Sequence, residues 1–356
     1  MILYCSEEDT TPSQNSLTEN NNNMSTFMTG LGSMLGRKSQ SPPSAKTSGP
    51  KVDSYSAGSQ EAFDLSHHSA LLQAFPNALP VSVFKSRVKH MLKCKGMDAT
   101  TTLLSTSFCC DEVNRSFESA MASDFSGHSF NLGGLSGFPF AGTVGIGAMA
   151  SHIPKDGSAF IIYGPHVGFA NTHDVGKVER KGIAEPNGCC GSAIAAMNSI
   201  CQEHKTCWQN KSPKKGKRLS PFKGKAKNPS LPPLVDIQQY HVCQQVTSAV
   251  DIEASSSSIL LKSSPSVSLN QTTLPTAVYD AITPDVDFLL GTTSPQPSLL
   301  KKALNLALIG GILINTAPEH QDYFLPLRFE LFNPQQTAIA NLLPELQNFD
   351  SDAESN

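Results

Sequence analysis

Two pairs of adjacent cysteines hold most of the chemistry this sequence offers: Cys109 and Cys110 in "LLSTSFCCDEVNRSF", and Cys189 and Cys190 in "CCGSAIAAMNSICQEH". Zinc prefers thiolate and imidazole, and a catalytic zinc takes three ligands from the protein while keeping a fourth position for water. His166, within "AFIIYGPHVGF", supplies an imidazole in a similar setting. No tight C-x-x-C or H-x-x-x-H spacing is present. The residues alone therefore leave each cysteine pair open between zinc ligation and packing as small hydrophobes at element boundaries. For Cys94, Cys201, Cys207 and Cys243, packing is the default. Asp111 and Arg115 stand four residues apart. On a helix they share a face, which by itself gives a local ion pair worth about a few tenths of a kcal/mol. In a zinc site, a carboxylate held by an arginine has a second use: it accepts a hydrogen bond from zinc-bound hydroxide or, if released, swings onto the metal and blocks it.

These residues need elements to position them. Phe84, Val88, Met91 and Leu92 fall at helical spacing, and Gly96 is placed to stop that helix. Leu103 and Leu104 predict a short buried strand running into "CCDEVNR", whose order suits a helix start. The apolar, β-branched and aromatic run "AFIIY" predicts a strand that ends at Gly164 and Pro165 and presents His166 at its tip. After Cys190, the positions Ala193, Ala196, Met197 and Ile200 read as a small-residue helix. Residues 133–147, between the cysteine pairs, hold six glycines, at 133, 134, 137, 142, 145 and 147, with Gly127 and Gly157 on either side. That density demands tight turns or close approach, and its order matches neither phosphate-loop pattern. The run "ALNLALIGGILI" (303–314) reads as a buried helix or strand, and "YFLPLRFELF" (323–332) completes an expected last helix and strand pair.

Composition divides the chain. Residues 1–60 are rich in Ser, Asn, Thr and Gly and are expected to be a disordered tail. Residues 61–340 are expected to form one large domain, with disordered insertions at 205–232 and 254–275, followed by an acidic tail at 341–356. A net charge of −3 gives no general reason to expect nucleic acid as a partner. The basic run "KSPKKGKRLSPFKGKAK" (211–227) has only Phe222 to stack on a base and reads as a solvated loop. Nine cysteines, an odd number that includes two vicinal pairs, are not a disulfide framework; they read as reduced thiols of a cytoplasmic or organelle-stroma compartment. No run reaches the roughly 18 apolar residues that a membrane span needs. The start "MILYCSEEDTTPSQ" lacks the basic region of a secretory signal, and its acids disfavour a transit peptide.

The segments "HHSALLQAFPNAL", "TTLLSTSFCCDEVNR", "NLGGLSGFPFAGTVG", "GPHVGF" and "CCGSAIAAMN" occur in that order, and "ALIGGILINTAPEHQDYFLPLRFELF" follows. Over residues 65–205 and 295–333 they resemble the limiting-CO2-inducible protein family of algae, whose members are related to theta-class carbonic anhydrases. The resemblance implies an α/β fold like that of beta-class carbonic anhydrases, a parallel-rich sheet flanked by helices. It also implies a homodimer, or a hetero-oligomer with a paralogue, in the cytoplasm or the chloroplast stroma. It implies zinc held by two cysteines and a histidine: Cys109, which lies two residues before Asp111, His166 in a Pro-His context, and Cys190, which directly precedes a glycine. Cys110 and Cys189 are then neighbours. Arg115 would be the partner of Asp111, although beta-class enzymes place their arginine two residues after the aspartate, where this chain has Val113.

The implied reaction is reversible hydration of CO2 to bicarbonate by zinc-bound hydroxide, with Phe138 and Phe140 of the glycine-rich stretch walling an apolar CO2 pocket. Its alternative is a zinc-binding homologue of little or no turnover that acts as an assembly component of a carbon-concentrating system. A thiol redox protein is disfavoured, because Asp111 beside the pair works against a thiolate.

Overall fold

In the runs "SAFIIY" and "LALIGGILIN" every residue is buried, as strands covered on both faces require. The computed structural model describes residues 57–125, 127–209, 236–252, 258–291, 301–333 and 338–349. In chain order the elements are α1 (Ala57–Ala74), β1 (Leu79–Pro80), α2 (Val81–Cys94), β2 (Thr102–Ser107), α3 (Arg115–Ala122), β3 (Ser129–Asn131), α4 (Gly142–Ser151), β4 (Ser158–Tyr163), β5 (His166–Gly168), β6 (Lys177–Val178) and β7 (Asn187–Gly188). They continue with α5 (Gly191–Gln209), α6 (Ile237–Ser248), β8 (Val250–Ile252), β9 (Ile259–Leu261), α7 (Leu274–Leu290), β10 (Leu306–Asn315), β11 (Tyr323–Phe332), β12 (Ala338–Asn341) and α8 (Leu343–Gln347).

The main sheet runs β1-β11-β10-β4-β2-β3, with β12 on β11 and β5 continuing beside β10. Pairings among β3, β2, β4, β5 and β10 are parallel, whereas β11 joins β10, β1 and β12 antiparallel. The fold is thus the α/β, parallel-rich sheet flanked by helices that the sequence led us to expect. Alternate residues of the central strands feed two cores. Ala159, Ile161 and Tyr163 face one side with residues of α4, α5, α6 and α7. Phe160 and Ile162 face the other, with Phe84, Val88, Met91 and Leu92 of α2 and Phe117 and Met121 of α3. Parallel strands end together, so β2 and β4 deliver their C-terminal loops to one edge of the sheet, where the chemistry-bearing residues gather.

Several expectations change. The run at 303–314 is a strand, and the expected helix and strand pair is an antiparallel ribbon of β10 and β11. The reason lies at Gly310 and Gly311. A Cβ on Gly310 would sit 2.6 Å from the Tyr163 ring and 2.7 Å from Tyr279 Oη, and one on Gly311 would sit 2.3 Å from Leu325 O, so neighbours occupy the space that side chains would take. The expected insertion at 254–275 is structured over its described part: β9 pairs with β8, and Val267 and Leu269 pack against the core. The expected tail from 341 is also built in, because Leu342 and Leu346, four residues apart, are fully buried against α2 and β11. Acidic neighbours concealed that apolar stripe. Residues 205–209 form the end of α5, whereas 210–232 and nearly all of 1–60 lie outside the described residues. Among the described residues, no helix is long and apolar enough to cross a membrane.

Helix α1 docks through His67, whose ring lies 4.9 Å from His320, 5.7 Å from His173 and 5.0 Å from Phe169, centroid to centroid. Burial first, then the nearby charges of His320 and His173, lower its pKa to about 4, against the opposing pull of Asp64 and Glu319. A depressed base takes up its proton more readily in the unfolded chain, so stability should fall as pH drops from 6.5 towards 4. Urea unfolding midpoints at pH 7 and pH 5 are expected to diverge in the wild type, and to diverge less in His67→Phe.

Candidate metal centre

Strand β2 ends at Ser107, and the next residues carry Cys109 into a short 3-10 turn (Glu112–Asn114). Asp111 caps that turn by accepting from the Val113 backbone N–H at 3.5 Å, and Asn114 Nδ2 donates back to Cys109 O at 3.0 Å. Strand β4 ends at Tyr163, and Gly164 and Pro165 redirect the chain so that His166 opens β5 against β10. Gly164 has φ +154°, and a Cβ there would meet Gly311 O at 1.7 Å. Backbone lies on both sides and cannot yield, so Gly164→Ala should cost at least about 4 kcal/mol in chemical denaturation. Cys190 directly precedes α5.

The glycine-rich stretch fills the gap between the β2 and β4 loops. A Cβ on Gly133 would meet Phe108 O at 2.3 Å, and one on Gly137, at φ +89°, would meet Gly164 O at 2.2 Å. This close approach brings Ser136 Oγ to 3.7 Å from Cys190 Sγ. Phe138 and Phe140 do not wall the centre; they pack edge-on against His241 of α6. The cleft beside His166 is lined instead by Ala193 and Ile194 of α5 and by Leu274, Pro275 and Val278 of α7.

Cys109, His166 and Cys190 are each at most 3% exposed, and their ligand atoms all lie within 4.8 Å of one another. The two sulfurs are 3.6 Å apart. Two thiolates at about 2.3 Å from a tetrahedral zinc would lie about 3.8 Å apart, so the pair needs little adjustment. His166 Nδ1 meets Asn315 Oδ1 at 2.8 Å, while the buried Nε2 has no hydrogen-bond partner among the described residues. An orphaned imidazole nitrogen beside two buried sulfurs is a donor set that suits zinc. Cys189 Sγ lies 3.3 Å from Nδ1 and forms a second candidate grouping with His166 and Asp111, whereas Cys110 is exposed.

The electrostatics agree with this grouping. The hydrogen bond between the sulfurs, together with burial, pushes the Cys109 thiol up; the same bond and the His166 ring, against burial, hold Cys190 well below the usual thiol range. One proton is thus shared where a cation would replace it. Burial alone would lower His166, but the Cys189 and Cys190 sulfurs outweigh it and raise the ring.

Asp111 Oδ2 stands 3.9 Å from His166 Nε2. Its arginine is not the expected one. Arg115 turns along its own helix to pair with Glu118, which also accepts from Thr106 Oγ1 at 2.9 Å. Asp111 is held by Arg180, whose Nη2 reaches Oδ1 at 3.1 Å and Oδ2 at 2.9 Å while its Nε reaches Glu112 Oε1 at 2.7 Å. The physical reason is local: Asp111 precedes the 3-10 turn in extended conformation (φ −58°, ψ 137°), so the helical spacing assumed for Asp111 and Arg115 does not apply. Burial would raise the Asp111 carboxyl, but contact with Glu112, the His166 ring and the Arg180 guanidinium hold it below the usual carboxylate range. Arg180, Asn315 and Ser136 were not singled out from the sequence. Arg180 lies 69 residues from Asp111 in the chain, beyond any local spacing rule.

A family model described as limiting CO2-inducible proteins B/C beta carbonic anhydrases matches residues 78–333. The crystal structure of PtLCIB4, a homolog of the limiting CO2-inducible protein LCIB, is 32% identical over 77% of this chain and 99% of its own, with a TM-score of 0.56. A histidine-to-alanine mutant of PtLCIB4 is 30% identical over 78% of this chain and 99% of its own, with a TM-score of 0.60. The crystal structure of LCIB, 21% identical over 77% of this chain and 98% of its own, has a TM-score of 0.51 and shares the fold. A search of curated proteins gave no match. With the family model covering well over half of the chain, and with solved relatives of the same fold, this chain belongs to the limiting CO2-inducible protein B/C family of beta carbonic anhydrases.

Proposed function

We propose that this chain binds zinc through Cys109, His166 and Cys190 and catalyses the reversible hydration of CO2 to bicarbonate. The observation that carries the reading is the convergence of two buried sulfurs and an unpartnered imidazole nitrogen beside a carboxylate held by an arginine. When bound there, zinc supplies a Lewis acid that lowers the pKa of a coordinated water from about 15.7 to about 7. The chain's own side chains do the rest. An ionised Asp111 has only acceptor capacity, so it orients any O–H group presented beside His166 Nε2. Arg180 grips both oxygens of that carboxylate beside the ring.

Stopped-flow CO2 hydration by the zinc-loaded full chain tests the reading. Turnover above buffer is expected, lost when a chelator strips the metal and restored when zinc is returned. Zinc-loaded protein with no rate above buffer, under reducing and oxidising conditions alike, refutes it. The same reading includes the homodimer that the resemblance implies, which sedimentation of the full chain measures.

A further inference from the structure

Asn315 is 1% exposed, at the end of β10. Its backbone is fixed beside β5: it pairs with Gly168, and its carbonyl accepts from Phe169 N at 2.8 Å. Its side chain meets Val113 and His166, and also Asp322 and Cys189. Nδ2 lies 3.3 Å from Val113 O, in the 3-10 turn that Asp111 caps, and Oδ1 lies 2.8 Å from His166 Nδ1. A carbonyl only accepts, so the amide nitrogen must be the atom that meets Val113 O. The amide oxygen is then left facing the ring, and Nδ1 must carry the hydrogen it accepts. In the neutral ring that metal ligation requires, the other nitrogen, Nε2, then keeps the lone pair. The next residue in the turn, Asn114, hooks Cys109 O, so one hydrogen-bonded path joins the imidazole to the first thiol's backbone.

We infer that Asn315 is a positioning residue: it sets the tautomer and orientation of His166 and ties that ring to the turn carrying Cys109 and Asp111. The inference rests on zinc ligation by His166, as proposed above, but not on turnover. Partners that orient a ligating histidine typically change metal affinity by about 10- to 100-fold when removed. One competitor is present, since Cys189 Sγ lies 3.3 Å from the same Nδ1 and 3.9 Å from Asn315 Oδ1.

The test uses the full chain, with zinc affinity measured against a chromophoric chelator and the imidazole N–H followed by nitrogen-resolved NMR. Wild type is expected to show a slowly exchanging Nδ1–H on His166. Asn315→Leu should weaken zinc binding by about 10- to 100-fold and lose that signal to exchange. Asn315→Asp, which keeps an acceptor for the ring but loses the donor to Val113 O, should retain the signal and weaken zinc binding less than Asn315→Leu does. Cys189→Ala should leave both readouts unchanged. Equal weakening in Asn315→Leu and Asn315→Asp would reduce Asn315 to a packing role, and loss of the N–H signal only in Cys189→Ala would transfer the role to Cys189. Zinc-loaded protein that keeps the Nδ1–H signal but lacks CO2 turnover would overturn the proposed activity and leave this inference standing.

Discussion

Cys190→Ser is expected to come off purification with its zinc lost and with CO2 hydration at the buffer background, whereas Cys189→Ser keeps one zinc per chain by elemental analysis. The two sulfurs are neighbours in sequence but meet different partners. Cys190 Sγ is 3.6 Å from Cys109 Sγ. Cys189 Sγ is 3.3 Å from His166 Nδ1, a nitrogen already bonded to Asn315. Serine at 190 leaves only two strong ligands of the Cys109, His166 and Cys190 set, where a stable zinc site needs three or four, whereas Cys189 falls in a second grouping with Asp111 and His166 whose ligand atoms also lie within 4.8 Å of one another. Cys109→Ser and His166→Ala should match Cys190→Ser, and Cys110→Ser, at an exposed position, should match wild type. Zinc retained in Cys190→Ser but lost in Cys189→Ser would shift the ligand set by one residue.

Arg180→Ala and Asp111→Asn are expected to keep zinc while lowering the CO2 hydration rate by about 10²- to 10³-fold, the size seen when one preorganised polar group is removed from a reacting centre. Arg115→Ala should stay within about twofold of wild type. The contrast follows from geometry: Arg180 and Asp111 side chains are 13% and 14% exposed and doubly bonded, while Arg115 pairs with Glu118, one helical turn along α3. Without the guanidinium, Asp111 is free to turn from its place beside His166 Nε2. The carboxyl is held below the usual carboxylate range, so it stays ionised above that range and its own protonation should not shape the rate between pH 6 and 8. Stopped-flow rates and zinc contents on the same samples decide the matter. A silent Arg180→Ala beside a crippled Arg115→Ala would restore the helical pairing that sequence spacing suggested.

Much was legible before any coordinates. Helix α2 follows from Phe84, Val88, Met91 and Leu92, and strand β4 from an apolar run bounded by Gly164 and Pro165. The two vicinal pairs and His166 pointed to thiolate and imidazole chemistry, because zinc's ligand preference is a property of residue types. The order of short motifs carried the family, and with it the parallel-rich sheet. Periodicity and turn chemistry act within a few residues, so elements built by them can be read from the chain.

Only the tertiary structure chose among equals. The resemblance singled out Cys109 and Cys190, but that their sulfurs lie 3.6 Å apart depends on how the β2 loop and the α5 start meet across the sheet edge. Which arginine holds Asp111 depends on the path of the loop after β5. The partner of His166 Nδ1 is an asparagine 149 residues away. Each of these contacts joins segments far apart in sequence, and the directions of side chains at such meetings are set by strand register and packing rather than by residue type.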